Sequence, residues 1–133
     1  MLKNIFLPLT LVLALGGCAT WSHTEATKDG KPLEYTSIDK SAQKDPADVL
    51  LSKEDITDKP YETLAELEVI VNKTTIFHAD PTPEMVDQKL KEEGAKLGAD
   101  AVVLIRYGTV GISIASWGSL EGKGRAVKFK KQK

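Results

Sequence analysis

Few side chains in this 133-residue chain could carry chemistry: one cysteine, Cys18, and two histidines, His23 and His78. Nucleophilic catalysis needs a hydroxyl or thiol held beside a base, and no motif here assembles such a set. His78 lies in Phe77-His78-Ala79-Asp80. It could share a cation with Asp80, but two ligands do not make a metal site, and a solvated loop histidine is the plainer reading. Residues 118–123 approximate a phosphate loop. The spacing is one residue short, and Gly124 stands where a Ser or Thr is required. The expectation is a protein that is not an enzyme and has no catalytic residue, cofactor or metal. The residue with a defined chemistry is Cys18, a thiol presented after the unobstructed backbone of Gly16 and Gly17.

Its surroundings say what that chemistry is. Lys3 is followed by an apolar run over residues 5–15, broken only by Pro8 and Thr10. This is the charged and apolar layout of a secretory signal. The run is about 11 residues, or roughly 16 Å as a helix, whereas crossing a bilayer core takes about 20. Leu15-Gly16-Gly17-Cys18 resembles the lipobox of bacterial lipoproteins. That resemblance implies that residues 1–17 are a signal peptide, cleaved before a diacylglycerated Cys18 whose new amino group is then acylated. Two or three acyl chains anchor a protein stably where one does not. Ala19 follows the cysteine. An Asp there resembles an inner-membrane retention signal, so its absence implies, for a Gram-negative host, the periplasmic face of the outer membrane.

Cleavage leaves 116 residues, with 17 basic and 19 acidic side chains, enough for one small domain. The near-neutral sum conceals an acidic stretch over 45–68 and a basic end, Lys123, Arg125, Lys128, Lys130, Lys131 and Lys133. With Cys18 lipidated there is no disulfide, so packing must hold the domain together. Nucleic acid is not an expected partner in the envelope.

Residues 18–46 are polar and aperiodic, with Gly30, Pro32 and Pro46 as breakers, and read as a flexible tether. Trp21 within it is either an interfacial anchor or an exposed linker residue. Residues 47–133 read as a single α+β domain. Val49-Leu50-Leu51 suits a short edge strand. In residues 63–73, Ala65, Leu67, Val69 and Val71 alternate with Glu66, Glu68, Ile70 and Asn72, a half-buried strand. Thr82-Pro83-Glu84 is a helix start. Val86, Leu90, Gly94 and Leu97 share one face, with Met85 and Ala101 completing the core, and Gly98 supplies the C-cap. Residues 101–107 form a continuous apolar run, which suggests a strand buried on both faces. Residues 124–130 alternate once more. The expected architecture is a two-layer β-α-β-β unit of sheet order 1-3-2, one helix on one face, with a glycine-rich hairpin arm. In that arrangement Val127 and Phe129 join Leu67 and Val69 beneath the helix, and Glu66 and Glu68 pair with Lys128 and Lys130 on the other face.

Leu64 to Val71, Met85-Val86 with Leu90, Leu97-Gly98-Ala99-Asp100-Ala101-Val102-Val103, and Gly124-Arg125-Ala126-Val127-Lys128-Phe129 resemble the YbjQ-like family. They are also similar to the lipoprotein sensor of the Rcs envelope-stress system. The likeness spans roughly residues 60–130 and implies a small β-α-β-β sheet able to assemble into rings such as pentamers. Heavy-metal binding, ascribed to some members, does not carry over to a mature domain with only two histidines and no usable cysteine. The disulfide-dependent role of the Rcs sensor does not carry over either.

Val110, Ile112, Ile114, Trp117 and Leu120 are more apolar side chains than so small a core readily absorbs, and form a candidate interaction patch. A hairpin arm folded over its own sheet is the competing account. The function expected is that of a lipid-anchored envelope protein, held to the membrane through Cys18 and acting through self-association or an envelope partner. The alternative is a small-ligand or metal-binding module. Replacing Cys18 by Ala should abolish acylation and leave the 17-residue signal uncleaved. Intact-mass measurement of membrane fractions checks this, and wild-type protein with a free thiol and Met1 retained is the contrary result.

Overall fold

The computed structural model describes residues 20–35, 38–75, 77–108, 111–113 and 116–131. Its strands are β1 (Thr20–Lys28), β2 (Lys31–Pro32), β3 (Leu50–Leu51), β4 (Tyr61–Lys73), β5 (Ala101–Tyr107), β6 (Gly111–Ser113) and β7 (Ser116–Phe129), with helix α1 at Pro83–Lys96. Six strands lie in the order β2-β1-β4-β7-β5-β3, and β6 pairs with the start of β7. The class is α+β, with one main helix on a mixed sheet, β3 running parallel to β5 and the other pairs antiparallel.

Two departures from the sequence reading concern extent. Among the described residues the sheet has seven strands, against the three of the β-α-β-β unit and a short edge strand over 49–51, which is present as β3, and β4, β7 and β5 are neighbours in the 1-3-2 sense. Residues 20–28, expected within a tether, are a sheet strand paired with β4 from Thr20↔Lys73 to Thr27↔Glu66. The pattern there is Ser, Thr and Ala rather than Val and Leu, so no apolar periodicity announces it. Its local signal is Asp29-Gly30, both at positive φ (53° and 74°), the pair that a two-residue hairpin turn requires. More of the supposed tether packs on the helix end. The Lys44 amide donates to the Ala95 carbonyl (3.0 Å), and the Lys44 ammonium pairs with Asp100. Gly98, at φ 74°, ends α1 so close to Ala42 that a Cβ there would sit 2.5 Å from the Ala42 carbonyl oxygen.

The α1 start follows its sequence signals: Thr82 is the N-cap and Pro83 opens the helix, although the Thr82 side chain makes no capping hydrogen bond. Val86 and Leu90 are fully buried against Leu67, Val69, Val71 and Val102. Met85, placed in the core by sequence, is exposed, one position off the buried stripe. Beneath the helix β7 contributes glycines rather than bulk. A Cβ on Gly122 would run into Val86, and one on Gly124 into Val102.

That choice reverses the expected orientation of β7. Leu120, Gly122, Gly124 and Ala126 face the helix, while Val127 and Phe129 turn away. Val127, Phe129, Ala101, Val103, Ile56 and Tyr61 form a second cluster on the back of the sheet. Two bulges make both faces apolar where needed. In β4 the register slips between Thr63↔Val127 and Ala65↔Ala126, sending Tyr61 and Thr63 to the back and Ala65 to the helix. In β5 it slips between Val103 and Arg106. Leu104 takes φ 56°, and Ile105 returns to the helix side three residues after Val102.

Gly122→Ala should therefore lower stability by about 1–3 kcal/mol, as overpacking does. Gly118→Ala should cost less, since its nearest neighbour is the flexible end of Lys73. Urea unfolding checks this, and equal midpoints for the two variants would contradict the glycine seat.

Candidate interaction surfaces

The back of the sheet carries a charge ladder. The β4–β7 register sets Glu66 opposite Arg125, Glu68 opposite Lys123, and Ile70 opposite Glu121. Arg125 Nε donates to Glu66 Oε1 at 2.6 Å. Lys123 Nζ lies 3.0 Å from Glu121 Oε1 and 3.4 Å from Glu68 Oε2. The lysine hydrogen bond holds the Glu121 carboxyl below its ordinary range, and Glu121 and Glu68 hold the Lys123 ammonium above its own. Sequence reasoning found the two glutamates and the face but assigned the wrong cations. Lys128 sits opposite Glu62, on the helix-side parity of β7 just beyond Ala126, and the β4 bulge puts Glu62 out of phase with Glu66.

On the other side of β4, Glu25 lies opposite Glu68 and His23 opposite Ile70. A shallow groove runs over Glu25, Thr27, Glu66, Glu68 and Lys123. Arg125 answers Glu66 and Lys123 is shared between Glu68 and Glu121, while Glu25 is exposed with His23 Nε2 3.5 Å away. Beside this groove, considering the described residues alone, β1 has strand neighbours on only one side for most of its length. Among the described residues, β2 pairs with Thr27 and Lys28 alone, and Leu33 N donates to the Ala26 carbonyl. Thr24, Glu25, Pro32, Leu33 and Tyr35 border a second groove along this edge.

The end of the sheet where β1 begins is built from four segments. Thr20 lies beside Lys73, and Ser119 beside Asn72. Beyond them the β6–β7 hairpin, with Gly111 opposite Ser119 and Ser113 opposite Ser116, continues past the end of β4. The turn after Lys73 presents Phe77, 94% exposed. Thr75 shapes it, accepting from the Phe77 amide (3.3 Å) and meeting His78 Nδ1 (2.9 Å). Asp80 binds Lys73 Nζ at 2.6 Å, whereas the His78 ring meets Thr75. Among the described residues no group of three or more His, Cys, Asp or Glu side chains is placed to hold a metal.

Of the expected apolar patch, Leu120 is core, 6% exposed beneath the helix opposite Val71, because odd–even phase is fixed by Gly122 and Gly124. Ile112 lies in β6 and Trp117 in β7. Val110 and Ile114 fall outside the described residues, as do Cys18 and Leu15, Gly16 and Gly17. Exposed Phe77 was missed because a single aromatic in a polar loop has no periodicity.

No family model matches this chain, and no curated protein does. Among solved structures, a protein of unknown function from Pediococcus pentosaceus, placed in the DUF74 family, is similar over 62% of this chain and 98% of its own, at 17% identity and a TM-score of 0.44. A likeness so slight assigns neither fold family nor function.

Ladder pairs as exposed as Glu66 and Arg125 contribute at most about 1 kcal/mol. A double-mutant cycle of Glu66→Gln with Arg125→Gln, read by urea unfolding, should give a coupling within that limit. A clearly larger value would mean the pair is shielded from water.

Proposed function

We propose that this protein is a lipid-anchored envelope lipoprotein, acylated on Cys18 and held on the periplasmic face of the outer membrane of a Gram-negative host. It works without catalysis, by self-association or by binding an envelope partner. The observation that carries the binding role is the open edge of β1. An edge strand presents backbone N–H and C=O groups as a template for another strand, and strand addition is a common way to recognise an extended segment. The edge is polar, with His23 and Glu25 exposed beside it, which suits a specific contact better than indiscriminate aggregation. Oligomeric rings, implied by the YbjQ-like resemblance, are one form this association can take.

A small-ligand or metal-binding module is the second reading. It has Glu25 directly opposite Glu68 in its favour, since like charges across a strand pair attract a cation. Lys123 already supplies that cation, so the edge reading is preferred.

Photo-reactive residues placed singly at His23, Glu25 and Asp58 of the full-length protein in cells separate these readings. Adducts with a second copy, or with one discrete envelope protein, are expected from positions 23 and 25 and not from 58. Equal capture from all three positions, or none, counts against a binding edge. Titration with calcium or magnesium that changes the fluorescence or stability of the detergent-solubilised protein would favour the second reading.

A further inference from the structure

We propose that the end of the domain formed by the start of β1, residues 74, 75 and 77–80 after β4, and the paired strands β6 and β7 rests in the headgroup layer of the bilayer that holds Cys18, with Phe77 inserted into it. The inference rests on acylation of Cys18. It adds that the folded domain, and not only the acyl chains, touches lipid.

Chain length forces the approach. Thr20 is already paired with Lys73 in the sheet, and only Ala19 separates it from Cys18. Two residues span at most about 7 Å. The polar layer on each side of the hydrocarbon core is roughly 5–7 Å deep, so the ordered sheet begins within the reach of that layer. The tether that would hold the domain away from it is absent, since those residues are β1 itself.

Direction agrees with distance. β1 and β7 are both antiparallel to β4, which lies between them, so their N-terminal ends point the same way. From Ser119 back to Ser116 the hairpin advances three residues, about 10 Å at roughly 3.3 Å each, past the level of Thr20 and toward the lipid. The turn carrying Phe77 leaves β4 at Lys73, in this same row, and Gly118 abuts Lys73 and Asp80, so the hairpin and the turn form one apex. Among the described residues the other exposed large apolar side chains are Leu50 (58%) and Met85 (38%), and Phe77, at 94%, is the most exposed. An aromatic held wholly in water at the tip nearest the acyl chains has its apolar solvent in the interface. This places the start of β1 at the membrane, with its edge running away from the lipid beside any neighbour anchored in the same leaflet.

The test uses full-length lipidated protein in which Phe77→Cys is the free thiol. The thiol carries a nitrobenzoxadiazole label, and the protein sits in phosphatidylethanolamine–phosphatidylglycerol vesicles with or without a headgroup-nitroxide lipid. Asp58→Cys is the comparison, and the intact mass of each sample reports the acyl chains. Blue-shifted emission at 77, quenched several-fold more than at 58, is expected. Equal quenching in acylated protein overturns the apex contact and leaves the lipoprotein reading standing. A mass showing unmodified Cys18 overturns both. A label at 77 that is shielded but unaffected by the nitroxide lipid, and self-quenched between labelled copies, makes the apex a protein interface and overturns the lipid contact.

Discussion

The seating of α1 on the glycines of β7 is the contact on which the remaining architecture depends. Val86 and Leu90 descend into the space that side chains at 122 and 124 would fill, and Gly94 lets the helix close on Val102 and Val49 in turn. Close packing at native density tolerates no spare methylene there. Once Gly122 and Gly124 face the helix, the two-residue period of the strand fixes every other residue of β7. Leu120 and Ala126 go inward, and Lys123, Arg125, Val127 and Phe129 go to the back.

The back face follows from that phase. Its charged half meets β4, where Glu66 and Glu68 find Arg125 and Lys123. Its apolar half meets β5, where Ala101 and Val103 find Val127 and Phe129 and residues 52–60 lie over them. Asp55 accepts from the Tyr61 hydroxyl (2.7 Å), and the Lys59 ammonium rests on the Phe129 ring (5.1 Å). A domain without disulfides thus acquires two small cores, one on each side of a single sheet. On the helix side Tyr107 donates to Asp87 at 2.5 Å. Burial and then this bond push its hydroxyl up to about 12, a structural tie between β5 and α1 and not an acid–base device.

Much of this was legible along the chain. The alternation of Ala65, Leu67, Val69 and Val71, the helix start at Thr82-Pro83 and the left-handed Gly98 each act through a local rule that holds in the fold, whereas the run over 101–107 is buried at 101–103 and 105 and open at Arg106. What was not legible has a common cause. Thr20–Lys28 is a strand because β4 offers it a partner, not because its own side chains are apolar. Val127 and Phe129 look like helix contacts until Gly122 and Gly124 take that place, and a glycine gives no sign of which side it favours. The β4 and β5 bulges each shift the phase by one residue, which no period-two pattern contains.

The sequence by itself determined the main elements and their class, because capping and periodicity act over a few neighbouring residues. Only the tertiary structure decided which face of β7 meets the helix, which cations answer Glu66 and Glu68, and that the sheet starts two residues after Cys18. These are matters of register between segments many tens of residues apart, as Tyr61 is from Phe129. Pairing across such distances is settled by which packing fills space without collision, and one strand read alone does not contain its partner's phase.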